Sequence, residues 1–174
     1  MYEYKCKIIK IVDGDTVDID LDLGFGVWLR DERVRIMGID TPESRTSDKV
    51  EKVFGLAAKD RLNSLLGSEA ILLSQVTKGG ENMKGKFGRI LGDFKTINGD
   101  TVTEILMKEG HAVAYNGGSK DDVIKQHLLN RQRLVNEGKV PAPEGISVET
   151  KQEEPIVVKE TKSTPKKKKS KKKK

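Results

Sequence analysis

The chain is poor in the features that usually fix a small protein from outside its own packing. Cys6 is the one cysteine, which excludes an intramolecular disulfide framework and a cysteine-rich zinc or iron–sulfur site. Aromatic residues make up 5% of the 174, with Trp28 the single tryptophan. No apolar run approaches the roughly 18 to 20 residues of a helical membrane span, so no membrane partner is expected. Residues 1–10 hold no apolar segment of about 7 to 15 residues ahead of a small-residue cleavage site; a cytoplasmic protein is expected. No repeat of about 20 to 50 residues is visible, which sets aside solenoids and propellers.

Charge is plentiful and unevenly placed. The formal net charge is +6, yet residues 1–139 hold 22 basic and 22 acidic side chains. Residues 140–158 are acidic, and residues 159–174 carry ten lysines against Glu160. Pro141, Pro143, Pro155 and Pro165 break this last stretch, which has too few large apolar residues to offset the entropy of ordering it. The organisation expected is one domain over 1–139 and a disordered, acidic-then-basic tail over 140–174. The lysine run suits a tether to nucleic acid, a nuclear-targeting patch or a solubilising end. The tether is favoured, because a neutral body gains local concentration on a polyanion from such a tail.

Period-two alternation marks the strands. Val17, Ile19 and Leu21 alternate with Asp18, Asp20 and Asp22, one apolar row and one solvated acidic row. Further strands are expected over 4–12, 27–30, 33–39, 70–76 and 87–94. Helical spacing covers 53–66, closed by Gly67. A shorter helix opens on a capping box, Thr101 and Glu104, and a third covers 119–137 with Ile124, Leu128, Arg131 and Val135 on one stripe. Short strands with interspersed helices favour a small α+β barrel over a doubly wound sheet. A monomer is the default.

Two carboxylates end two inward rows. Asp15 heads the row of Val17, Ile19 and Leu21, and Asp40 ends that of Val34, Ile36 and Gly38. Ionised acids at a barrel rim repel one another unless a positive group joins them, and a hard divalent cation with oxygen ligands would do so. Glu43 follows in a turn, and Arg35 offers a guanidinium for phosphate. Strand parity sends Arg35 and Asp40 to opposite faces, unless Gly38 bends the chain between them.

Val12-Asp13-Gly14-Asp15-Thr16, then Arg35 through Asp40-Thr41-Pro42-Glu43, then Lys86-Phe87-Gly88-Arg89 resemble, in order and separation, three signature blocks of the staphylococcal-nuclease (thermonuclease) family. The likeness runs through Gly110 to Tyr115 and the third helix, over about residues 4–138. The resemblance implies a five-stranded OB-fold barrel with three helices. It also implies a calcium-dependent endonuclease cutting DNA and RNA to 3′-phosphate products. It assigns Ca²⁺ to the side chains of Asp15 and Asp40 and the carbonyl of Thr41, general-base work to Glu43, and the scissile phosphate to Arg35 and Arg89. Lys86 and Tyr115 match positions that contact nucleotide phosphates. Phe87 stands where the family often has tyrosine.

Other patterns are set aside. Gly80 to Lys86 approaches a phosphate loop, but Phe87 replaces the required hydroxyl residue and a strand is expected to follow. Asp18, Asp20 and Asp22 begin like an EF-hand, with Leu23 at its glycine position. His111 and His127 lack metal-ligand spacing and read as packing or surface residues, and Cys6 as an apolar filler. The alternative reading is a non-catalytic OB-fold module that binds nucleic acid.

Overall fold

The computed structural model describes residues 1–76, 79, 84–96 and 98–148. Five strands close into a barrel: β1 (Tyr2–Asp13), β2 (Thr16–Asp22), β3 (Trp28–Ile36), β5 (Glu69–Ser74) and β6 (Ile90–Lys95), hydrogen-bonded in the order β1-β2-β3-β6-β5. All pairs are antiparallel except β3 with β6. Two short strands, β4 (Ile39–Asp40) and β7 (Val113–Ala114), form a separate ladder beside the barrel. Three helices complete the fold: α1 (Lys49–Leu66), α2 (Val102–Glu109) and α3 (Asp121–Asn136). This is the small α+β barrel that the residue pattern favours and the OB-type barrel with three helices that the family resemblance implies.

The barrel core follows from the period-two rows. Val17, Ile19 and Leu21 of β2 and Val34 and Ile36 of β3 are buried against Leu72, Phe94, and Leu62 and Leu106 of the helices. Cys6 is buried in this core, which pushes its thiol up to about 11, so it is apolar filling rather than a nucleophile. Helix α2 begins on the expected capping box: the Thr101 hydroxyl accepts the Glu104 amide, and the Glu104 carboxylate accepts the Thr101 amide. Helix α1 starts earlier than its apolar spacing suggests, because Asp48 caps the amides of Val50 and Glu51.

Several expectations need correction. The segments expected over 27–30 and 33–39 join into one strand only as far as Ile36, β3, which passes through Asp31 in a left-handed conformation, and Ile39 belongs to β4. The strand expected from Phe87 starts at Ile90, because Lys86–Gly88 makes a single 3₁₀ turn with Phe87 at φ 61°. The acidic row of β2 is only partly solvated, with Asp20 and Asp22 half-exposed and Asp18 not. Asp18 is buried and accepts two hydrogen bonds from Arg33, at 2.7 and 2.9 Å, and Asp20 pairs with Arg30. On α3 the buried residues are Val123, His127, Asn130, Leu134 and Val135, so Val135 is buried as expected while Ile124 and Leu128 face solvent. The helix turns two polar side chains inward because each finds a hydrogen bond there: His127 with Asp40, and Asn130 with Gln126.

Packing also continues past the boundary expected at Lys139. Val140 is buried with Phe54, Leu134 and Val135, and Ile146 packs against the same cluster. Residues 149–174, which include the whole lysine run, lie outside the described residues, as does most of the loop expected over 77–86.

Candidate active site

One cleft of about 690 Å³ opens at the barrel rim where β1 turns into β2 and β3 ends. Asp13, Asp15, Arg33, Arg35, Asp40, Thr41, Glu43, Arg45 and Arg89 all line it. Six of the eight residues singled out for the site therefore meet in one place. Lys86 and Tyr115 are not among its lining residues. Lys86 adjoins it through Phe87, and Tyr115 lies beyond β7, where its amide bonds the Gly38 carbonyl.

The turn Asp13-Gly14-Asp15 sets two carboxylates side by side with different partners. Asp13 is 6% exposed and accepts the amides of Gly14, at 3.0 Å, and Ser44, at 3.2 Å. Asp15 accepts the Thr16 hydroxyl at 2.9 Å and faces the Arg35 guanidinium at 2.8 Å. Burial pushes the Asp15 carboxyl above its ordinary range, against the pull of Arg35 and the hydroxyls of Thr16 and Thr41.

Arg35 is fixed on every side. Its Nη1 donates to the Ile36 carbonyl at 3.0 Å and the Asp15 carbonyl at 3.4 Å, and its Nη2 to the Ile39 carbonyl at 3.0 Å. The conflict of parity between Arg35 and Asp40 is resolved at Met37–Gly38. Gly38 has φ +80°, which a side chain would resist. β3 ends before this turn, and β4 leaves it in a new ladder with its own alternation. Arg35 and Asp40 consequently reach the same cleft from different strands.

Asp40 is joined to α3. Its Oδ2 lies 3.0 Å from His127 Nε2, across 87 residues of sequence. Burial alone would raise the Asp40 carboxyl, but the hydrogen bond and charge of His127, with Lys120 and Arg35, outweigh it and hold the carboxyl below its ordinary value. Nothing in the spacing of His127 announced this partnership. The one signal available was its i+4 relation to Val123, which puts it on that residue's face.

Glu43 stands on a backbone segment pressed against α1. A Cβ on Gly55 would lie 2.6 Å from the Glu43 carbonyl and the Ser44 nitrogen, so only glycine allows the helix to come this close. A hydrogen bond to the Asp13 carboxyl, then burial, then the charge of Asp13 push Glu43 up to about 7, with Arg45 pulling the other way. Asp13 is the site residue that the sequence alone did not single out. Its place in an Asp-Gly-Asp turn hid it as turn chemistry.

Across the cleft, Arg89 donates through Nε to the Lys86 carbonyl at 3.2 Å, the one hydrogen bond to its guanidinium among the described residues. Phe87 beside it is 97% exposed. Of the two arginines assigned to the phosphate, Arg35 is thus held from several sides, while Arg89 is held through Lys86 among the described residues. Its donor set of carboxylates, hydroxyls and carbonyls suits a hard cation in kind. Among the described residues no three acidic, histidine or cysteine side chains converge as a metal cluster. Asp15 and Asp40 face Arg35 and His127 instead.

Fold and cleft together define a class: a closed OB-type barrel with carboxylates and arginines gathered on one rim. Residues 33–141 match the family described as staphylococcal nuclease homologue, and the chain belongs to that family. Among curated proteins, Endonuclease YhcR of Bacillus subtilis (strain 168) is 29% identical over 118 residues, 65% of this chain and 9% of that protein. An uncharacterized endonuclease of Escherichia coli is 24% identical over 132 residues, 76% and 74% of the two chains. The thermonuclease of Staphylococcus intermedius is 31% identical over 105 residues, 60% and 56%. The chain thus spans under a tenth of the first, about three quarters of the second and just over half of the third.

Proposed function

We propose that this cleft hydrolyses phosphodiester bonds of DNA and RNA as an endonuclease, leaving 3′-phosphate products. The observation that carries the reading is the meeting of Asp15, Asp40, Glu43, Arg35 and Arg89 in one cleft. A module that only binds a polyanion gains nothing from placing three carboxylates where the phosphate must sit. The endonuclease and thermonuclease names of its relatives point the same way.

Each residue has a role that its surroundings support. Arg35, fixed by three carbonyls and Asp15, offers positive charge that need not reorganise as the phosphate gains charge. Arg89 can close on the other non-bridging oxygen and uses a two-pronged geometry that lysine lacks. Glu43, in its ionised form, takes a proton from a water that attacks phosphorus. The bond from phosphorus to the 5′-oxygen breaks, the 5′-oxygen leaves as a hydroxyl after taking a proton from water, and the phosphate stays on the 3′ side. A base of this kind contributes about 10² to 10⁴ in rate.

Asp15, Asp40 and the Thr41 carbonyl are the groups that would hold a calcium ion, which supplies positive charge at the phosphate when bound. Lys86 and Tyr115, outside the cleft, would meet the polymer on either side of the scissile phosphate. The lysine run of residues 159–174 would tether the neutral body to long nucleic acid.

The test is digestion of single-stranded DNA with Ca²⁺, then with excess chelator, followed by end-group analysis. Cutting that stops on chelation and leaves 3′-phosphates supports the reading. Tight nucleotide binding without cutting under any divalent cation would make the chain a binding module.

A further inference from the structure

The carboxylates of Asp15 and Asp40 line the same cleft but are held from different sides. Asp15 meets Arg35 and the Thr16 hydroxyl, and both of these residues line the cleft with it. Asp40 is met from outside. His127 Nε2 lies 3.0 Å from its Oδ2, yet His127 is not among the residues that line the cleft. It sits with Pro42, Phe54, Asn130 and Leu134 on the packed side of α3 and is 8% exposed. An imidazole outside the cleft touches neither the phosphate nor the attacking water, so the proposed activity gives it no direct part.

The backbone alone does little to fix the Asp40 side chain. Its strand is two residues long and pairs with β7, Ile39 opposite Ala114 and Asp40 opposite Val113. An aspartate in so short a ladder can turn about both side-chain torsions, and a turning carboxylate offers a cation either oxygen or both. Lys120 and Arg35 attract it by charge, but His127 is the one side chain hydrogen-bonded to it among the described residues. An ionised carboxylate only accepts, so Nε2 carries the hydrogen and donates it. With Oδ2 taken in this way, Oδ1 is the oxygen that Asp40 has left for the cleft.

We propose that His127 is a positioning residue for the calcium site, holding Asp40 by Oδ2 so that Oδ1 is presented to the ion. The inference rests on the reading of Asp40 as a ligand. A ligand oriented before the ion arrives loses less freedom on binding it, and removing the hydrogen-bond partner of a ligating side chain changes metal affinity about 10- to 100-fold. The same bond runs from α3 to β4, so the helix and the cation site share one contact. A clip that only fastened α3 to β4 would change melting and leave calcium affinity alone.

Calorimetric titration of the full chain with Ca²⁺ alone, without nucleic acid, tests this. His127→Ala and His127→Met both remove the donor, and methionine keeps most of the buried volume. Each is expected to bind Ca²⁺ about 10-fold or more weakly than wild type. His127→Gln, whose amide nitrogen can donate from the same helix position, should stay within about threefold of wild type. In Asp40→Ala the further change His127→Met should add nothing, because the imidazole acts through that carboxylate. Melting without Ca²⁺ measures any structural loss separately. Asp40→Ala binding Ca²⁺ like wild type, or wild type binding none, overturns the ligand reading and this inference with it. Asp40→Ala weakened while His127→Ala and His127→Met bind like wild type overturns this inference alone, as does His127→Gln binding as weakly as His127→Met.

Discussion

The carboxyls of Glu43 and Asp13 share a hydrogen bond, and Asp13 is itself pinned by the amides of Gly14 and Ser44. Two carboxyls can bond each other only through a proton, which is why Glu43 is pushed up to about 7. A general base works when ionised, so kcat/KM should rise with pH and level off above about 7. Asp13→Asn keeps an oxygen for both amides and removes the charge. The acid limb of the pH–rate profile should then move down towards the ordinary glutamate range, by a unit or more. An unmoved limb would separate Glu43 from the proton that limits the rate.

The two arginines should fail in different ways. Arg35 holds together Asp15 and the carbonyls of Ile36 and Ile39, so Arg35→Ala leaves a half-buried carboxylate unpaired. It should cost about 2 to 4 kcal/mol of stability together with activity. Arg89→Ala removes a side chain held by one carbonyl. It should lower kcat/KM by about 10² or more with thermal melting within a degree or two of wild type. Melting curves beside single-substrate kinetics check both, and equal loss of stability in the two variants would undo the distinction.

Gly55→Ala tests how the base is positioned. The new Cβ would meet the Glu43–Ser44 backbone at 2.6 Å, so the gain in helix propensity is overwhelmed. A net loss of about 1 to 3 kcal/mol is expected, with kcat falling more than nucleotide affinity. Chemical denaturation and substrate titration measure the two separately.

Most of this fold was legible from two kinds of residue. The period-two rows of β2 and β3 announced the barrel wall, and Thr101 with Glu104 announced α2 to the residue. What stayed hidden depended on partners far away in sequence. Asp18 and Asp20 look like a wetted face until Arg33 and Arg30 are paired across the ladder. His127 looks like packing until α3 is folded against β4. The acids and arginines of the cleft were readable because they sit at strand ends, where the apolar pattern stops. Asp13 was not, because a turn explains it equally well. The bend at Gly38 decided the one geometric conflict that periodicity raised, and a glycine alone does not say which way a chain turns.

The tail can be tested without its structure. Residues 159–174 carry ten lysines and one glutamate, and each phosphate contact adds about −0.9 to the salt slope on duplex DNA. Removing these residues should leave turnover on short oligonucleotides intact and flatten the salt dependence of cleavage on long DNA. The same salt slope with and without the tail would remove its role as a tether.

The most direct test of the cleft is Glu43→Gln, assayed side by side for cutting of single-stranded DNA in Ca²⁺ and for nucleotide binding. The account predicts a fall in kcat of about 10² to 10⁴ with nucleotide affinity within a few-fold of wild type. Cutting at the wild-type rate by Glu43→Gln would contradict it.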